Sequence, residues 1–158
     1  MYKVPLSKTK IESKLALMRE ALSVLNTIGE RLSAGQFAND PREFAVAEHH
    51  LRRALEAMFD IAGHIISRFP YAPGKRPKTI KEIARALGDK GVADKEFADN
   101  RLVKMAGYRN RLVHFYDEIT PQELYRIVTS DLGDIEQFAR FAIETVRSPE
   151  RIGLAVEE

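Results

Sequence analysis

The chain has 158 residues, 44% of them hydrophobic and 30% charged, with no cysteine and a formal charge of +2. That length suits one domain, residues 1–158, with a core of its own, and the missing cysteines exclude disulfides and thiolate metal sites. So small a net charge excludes a global field that would demand nucleic acid, leaving any such contact to a local patch. No apolar run reaches bilayer length, and Met1–Lys10 lacks the apolar core of a signal peptide, so a cytoplasmic protein is expected.

Ile11, Leu15, Met18, Leu22, Leu25, Ile28 and Leu32 recur at steps of three and four. This predicts an amphipathic first helix, capped by Ser7 and stopped at Gly35. Asp40 and Pro41 open a second helix. Its stripe is Phe44, Ala47, Leu51, Ala54, Met58, Ile61, Ile65 and Phe69, and the short connection predicts antiparallel packing on the first. Between Phe69 and Lys78, three prolines, Gly74, Lys75, Arg76 and Lys78 mark a surface loop with a local basic cluster.

Thr79 and Glu82 form a capping box for a short third helix ending near Gly88. Asp94 reopens a helix through Phe97, and the chain runs on through Leu102, Val103, Ala106 and Val113. Thr120 and Pro121 cap a last helix with the stripe Leu124, Ile127, Val128, Leu132, Ile135, Phe138, Ala142 and Val146. Pro149 ends it, and the acidic tail is expected to fray. There is no strand pattern. The expected fold is all-α, an up-and-down helical bundle of four to six helices.

The informative stretch is Met105-Ala-Gly-Tyr-Arg-Asn-Arg-Leu-Val-His-Phe-Tyr116. Unpaired charge is costly to bury, so this crowding of Arg109, Asn110, Arg111 and His114 is poor core material. Two readings stand side by side on spacing alone. One is a set of structural ion pairs and caps. The other is RNA cleavage without a metal, in which the 2′-hydroxyl attacks, His114 moves the proton and Arg109 stabilises charge on the phosphorane. At about 100° per residue, Asn110 and His114 share a face, whereas His114 lies roughly 140° from Arg109. A straight helix therefore does not aim the two at one point. Lys104 and Arg101, on the approach, are candidate phosphate contacts.

The string Arg109-Asn110-Arg111-Leu112-Val113-His114-Phe115-Tyr116 resembles the R-x4-H-x-Y signature of the HepT-like toxins of the HEPN superfamily, with Asn110 in its polar slot. Arg53 to His64, Leu87 to Val92, Leu124-Tyr125 and the Asp-Ile-Glu-Gln-Phe run ending at Phe138 are similar to other segments of that family. The loop from Tyr71 to Lys78 is less typical of it. The resemblance implies an HEPN-like bundle and a metal-independent endoribonuclease toxin without a cofactor. Arg109 and His114 would be catalytic, and Asn110, Arg111 and Lys104 would bind RNA. It implies a homodimer whose motif helices meet across a cleft. It also implies a cognate minimal nucleotidyltransferase antitoxin that transfers AMP from ATP to Tyr116 and silences the nuclease. The alternative is a non-catalytic HEPN subunit that binds such a nucleotidyltransferase and presents its substrate.

Glu48-His49-His50 and His64 give neither an H-E-x-x-H pattern nor paired Glu-x-x-His repeats, so no metal site is expected there. Glu56 and Asp60 are expected to pair with nearby arginines. No glycine-rich phosphate loop is present for the chain to bind ATP in that manner.

Overall fold

The computed structural model describes residues 4–114 and 119–158. Two long helices, α1 (Lys8–Arg31) and α3 (Pro41–Ile66), form its axis. Each starts on the predicted cap. The Ser7 side chain accepts from the Lys10 amide, and Asp40 accepts from the amides of Arg42 and Glu43. Their apolar stripes bury Leu15, Met18 and Leu25 against Leu51, Met58 and Ile65. The polar pairs beside this seam run in opposite directions along the two helices. Arg31 meets Glu43 at 2.6 Å, Lys14 meets Asp60 at 3.0 Å, and the Ser7 amide meets His64 at 3.0 Å. The packing is antiparallel as expected, and the partner of Asp60 is a lysine of α1 rather than an arginine.

The first helix ends before Gly35. Leu32 is extended, and Ser33 with Gln36 builds a capping box for a short α2 (Ala34–Ala38) that contains the glycine. The element exists to seat Phe37, which is fully buried with its ring 5.6 Å from that of Tyr125.

After the loop, α4 (Ile80–Asp89) begins on the Thr79–Glu82 capping box. Then α5 (Lys95–Phe97) runs through a widened π turn, Ala98–Leu102, into α6 (Val103–His114). At Gly88 an added Cβ would lie 2.9 Å from the Cβ of Ala98 and 3.0 Å from the Cα of Lys95. A glycine is needed there for α4 to cross the start of this segment.

The last helix of the sequence reading is two, α7 (Pro121–Ser130) and α8 (Leu132–Arg147). The break falls at Asp131, whose carboxylate accepts from the Tyr108 hydroxyl and from Arg126. The acidic tail does not fray. Leu154 is buried, and a two-residue parallel pair joins β1 (Leu6–Ser7) to β2 (Val156–Glu157). Two residues are too few to show alternation in a sequence. No helix among the described residues is long and apolar enough to cross a membrane.

His64 ties this terminal pair to α3. Its Nε2 accepts the Ser7 N–H at 3.0 Å, which requires the ring nitrogen to be unprotonated. Burial, then the charges of Arg68 and Lys10, push its pKa down from 6.5 to about 4. The unfolded chain takes up this proton near 6.5 and the folded chain only near 4. The contribution of His64 is therefore complete above the higher value and is lost as pH falls towards the lower one. We predict that urea midpoints measured from about pH 7 down to about pH 4.5 fall more steeply for the native chain than for His64→Gln, which keeps an acceptor but does not titrate. Parallel slopes would contradict this account.

Candidate active site

The motif helix α6 continues unbroken through His114 and buries Met105, Ala106, Tyr108 and Leu112. At about 100° per residue these define one arc, and Arg109 falls inside it. A guanidinium is thus held where an apolar side chain would be ordinary. Arg109 is half-buried, and its Nη1 donates to Oδ1 of Asn110 at 3.3 Å. Its Nε is buried with no hydrogen-bond partner among the described residues. His114 is exposed in the last turn, at the end of the helix where the backbone dipole favours a cation. The structure thus brings Arg109 and Asn110 together. It leaves Arg109 and His114 on different sides of one straight helix, as the periodicity indicates.

The other two expected RNA contacts face carboxylates. Arg111 donates to both oxygens of Glu123, at 2.7 and 2.6 Å. Those hydrogen bonds hold the Glu123 carboxyl below its usual range. The ammonium of Lys104 lies 3.5 Å from Asp131. Arg101 is looser, 3.8 Å from Asp134.

Asp131 was not singled out by sequence, yet it is the hub of this polar side. Only 6% exposed, it accepts from the Tyr108 hydroxyl at 2.8 Å and from Arg126 at 3.4 Å. Arg126 also donates to the Tyr108 oxygen at 3.2 Å. Its one sequence signal is an aspartate two residues before Gly133, both poor helix formers, inside an apparently continuous helix. This network locks the near side of α6 to the α7–α8 junction and fixes the rotation of the helix about its axis. Among the described residues no carboxylate anchors Arg109, whose side chain donates instead to that of Asn110.

A cleft of about 370 Å³ opens between α3 and α6, lined by Ala45, Glu48, His49, Arg52, Leu112 and Val113. His49 lines it, whereas the His50 pKa is lowered, first by burial and then by His49 and Arg53. Among the described residues no group of three His, Asp or Glu side chains is placed to hold a metal ion. Tyr116 lies outside the described residues.

Comparison with known proteins places this geometry in a family. The pattern of the family described as "Ribonuclease HepT-like" matches residues 18–142. The chain is 27% identical over 130 residues to the tRNA nuclease HepT of Aphanizomenon flos-aquae (strain 2012/KM1/D3), covering 82% of this chain and 85% of that one. It is 33% identical over 89 residues to the mRNA nuclease HepT of Shewanella oneidensis, covering 56% and 64%. Among solved structures, a toxin–antitoxin crystallised with AMP-PNP aligns with a TM-score of 0.73 at 24% identity, over 87% of this chain and 99% of that one. The tri-AMPylated HEPN toxin of Shewanella oneidensis, in complex with its MNT antitoxin, aligns at 0.69 and 24%, over 85% and 97%. These structural likenesses show the all-α HEPN-like fold. With the family pattern running from the middle of α1 to the middle of α8 and across the whole of α6, the chain belongs to the ribonuclease HepT-like family.

Proposed function

We propose that this chain is the toxin of a toxin–antitoxin pair, an endoribonuclease that needs no metal and works through Arg109 and His114. The observation that carries the reading is the state of Arg109. Its neighbours Lys104 and Arg111 are paired with carboxylates, but Arg109 sits in the buried arc of α6 with an unsatisfied Nε among the described residues. A buried donor without an acceptor is costly, and such a group in a folded protein calls for an explanation, of which a role in a site is one. The side chain is only half-buried, so its Nη groups remain able to reach a phosphodiester, which the planar fork of arginine suits.

In the proposed reaction the 2′-oxygen of one nucleotide attacks the adjacent phosphorus. The P–O5′ bond breaks, leaving a 2′,3′-cyclic phosphate and a 5′-hydroxyl. One proton leaves the 2′-hydroxyl and another is delivered to the departing 5′-oxygen. His114 is the group on α6 suited to either transfer. Arg109 balances the charge that grows on the phosphorane oxygens. Asn110 positions the Arg109 fork. Arg111 and Lys104 contribute through their ion pairs, which reduces the charge they offer to phosphate. The separation of Arg109 and His114 round one helix is met by a homodimer, in which Arg109 of one chain and His114 of the other share a cleft.

The partner proposed is a minimal nucleotidyltransferase. The phenolic oxygen of Tyr116 attacks the α-phosphorus of ATP, pyrophosphate leaves, and the partner's base takes the phenolic proton. The AMP group then places a bulky anion beside the site, where it repels the RNA phosphate.

The main test is cleavage of purified RNA. Activity should survive EDTA and leave cyclic phosphate ends. Arg109→Ala and His114→Ala should each lower the rate about a hundredfold or more. Loss of activity in EDTA with recovery in magnesium would overturn the mechanism. Light scattering should give twice the 17.9 kDa of one chain; a monomer at the concentrations of the assay would remove the shared cleft. With the partner and ATP, mass spectrometry should find AMP on Tyr116, and Tyr116→Phe should resist silencing. An unmodified Tyr116 in a silenced chain would mean inhibition by binding alone.

A further inference from the structure

We propose that the loop after α3 together with the exposed face of α4 is a second RNA contact, a track for the phosphodiester backbone leading to the face of α6 that carries His114. The proposal rests on the reading of RNA as substrate and adds to it a site remote from the Arg109–His114 motif.

Charge is segregated in this segment. Between Phe69 and Lys90 lie six of the chain's 25 lysines and arginines and only two of its 23 acidic residues. The segment therefore carries +4, against +2 for the whole chain. The local patch that the overall charge left undetermined is here.

The patch has shape as well as charge. A groove of about 480 Å³ runs between the loop and α4, with Lys75, Arg76, Lys78 and Arg85 along it. Its two carboxylates are already committed. Glu82 accepts the backbone N–H groups of Lys78 and Thr79 at 2.7 and 3.3 Å, and Asp89 accepts from Lys95 at 2.8 Å. Those backbone bonds also hold the Glu82 carboxyl below its usual range, so it stays an occupied acceptor. None of Lys75, Lys78, Lys81 and Arg85 makes an ion pair with a described residue.

The loop is held in place. The Tyr71 hydroxyl donates to the Ile66 carbonyl at 2.9 Å, and its ring lies under Lys90 at 4.8 Å and Arg76 at 5.9 Å. Three prolines stiffen the rest, and Gly74 takes the left-handed turn (φ 78°) that a glycine allows. A stiff cationic groove loses little entropy when a polyanion settles on it.

Location joins the groove to the motif helix. The Cε of Lys81 lies 4.0 Å from where a Cβ on Gly107 would stand. Gly107 precedes His114 by seven residues, so the two share a stripe of α6 about 10 Å apart. A missing side chain at 107 lets the lysine stem lie across α6 on the stripe where His114 stands. An acidic polypeptide would satisfy the charge, but the run from Lys75 through Lys81 to the stripe of His114 favours the backbone of the cleaved strand.

The test uses the full chain in a His114→Ala background and a labelled single-stranded oligouridylate, with anisotropy read across a salt series. Lys75→Ala/Lys78→Ala/Lys81→Ala/Arg85→Ala should bind about tenfold or more weakly at low salt. The slope of log affinity against log salt should fall by roughly three, near 0.7 per lost phosphate contact. A control of equal charge change, Arg19→Ala/Arg42→Ala/Arg140→Ala/Arg147→Ala, should keep the native slope. Unchanged affinity and slope in the first variant, or an equal loss in the control, would overturn the proposal. So would polyglutamate that displaces the RNA at equal charge, since the surface would then fit an acidic protein. In the His114-intact chain the first variant should raise KM for long RNA and leave kcat unaltered. A native chain that cleaves no RNA would sink the nuclease reading, while the binding series would still decide this one.

Discussion

The antiparallel seam between α1 and α3 is the constraint on which everything else is hung. Burying leucine, isoleucine and methionine along two helices of this length removes a large apolar area from water, at about 25 cal/mol per Å². No polar pair at its margin approaches that. The seam holds α3 so that its far side receives α4 and α6. It also sets the separation at which α7 and α8 close over the other edge. Tyr125 shows the reach of this arrangement: from α7 its hydroxyl donates to the carbonyl of Leu32, at the end of α1, at 2.6 Å. The seam thus supplies the surface on which α6 lies, while the Asp131 network fixes the rotation that places Arg109 in the buried arc.

What could be read from sequence was what local chemistry determines. The caps at Ser7, Asp40, Thr79 and Thr120 were legible because each side chain answers amides two or three residues away. The stripes of α1 and α3 were legible because period 3.6 is a property of the neighbouring residues alone. The α7–α8 break was not, because Asp131 takes its conformation from Tyr108, twenty-three positions earlier. The terminal strand pair was not, because Leu6 and Val156 are at opposite ends of the chain.

The site divides in the same way. Arg109, Asn110 and His114 became candidates by spacing and by resemblance, and the angle between Arg109 and His114 followed from helix geometry. The partners of Arg111 and Lys104 did not, since Glu123 and Asp131 enter from another helix and a turn. Among the described residues, Arg101, Lys104 and Arg111 have carboxylates within reach and Arg109 does not. Composition cannot express that difference; it appears only when the helices are assembled.

The terminal pair has a mechanical meaning. β1 and β2 are parallel, so a pull on the first residue and the last draws the two strands past each other along their length. The amide of Leu6, bonded to the Ala155 carbonyl at 2.8 Å, and the amide of Ser7, bonded to His64, then bear load together rather than in succession. Shear of this kind resists force better than peeling, because no bond can open before its neighbours are strained. A chain tugged by its ends would meet its first resistance at the His64 clasp, before any helix of the bundle is disturbed.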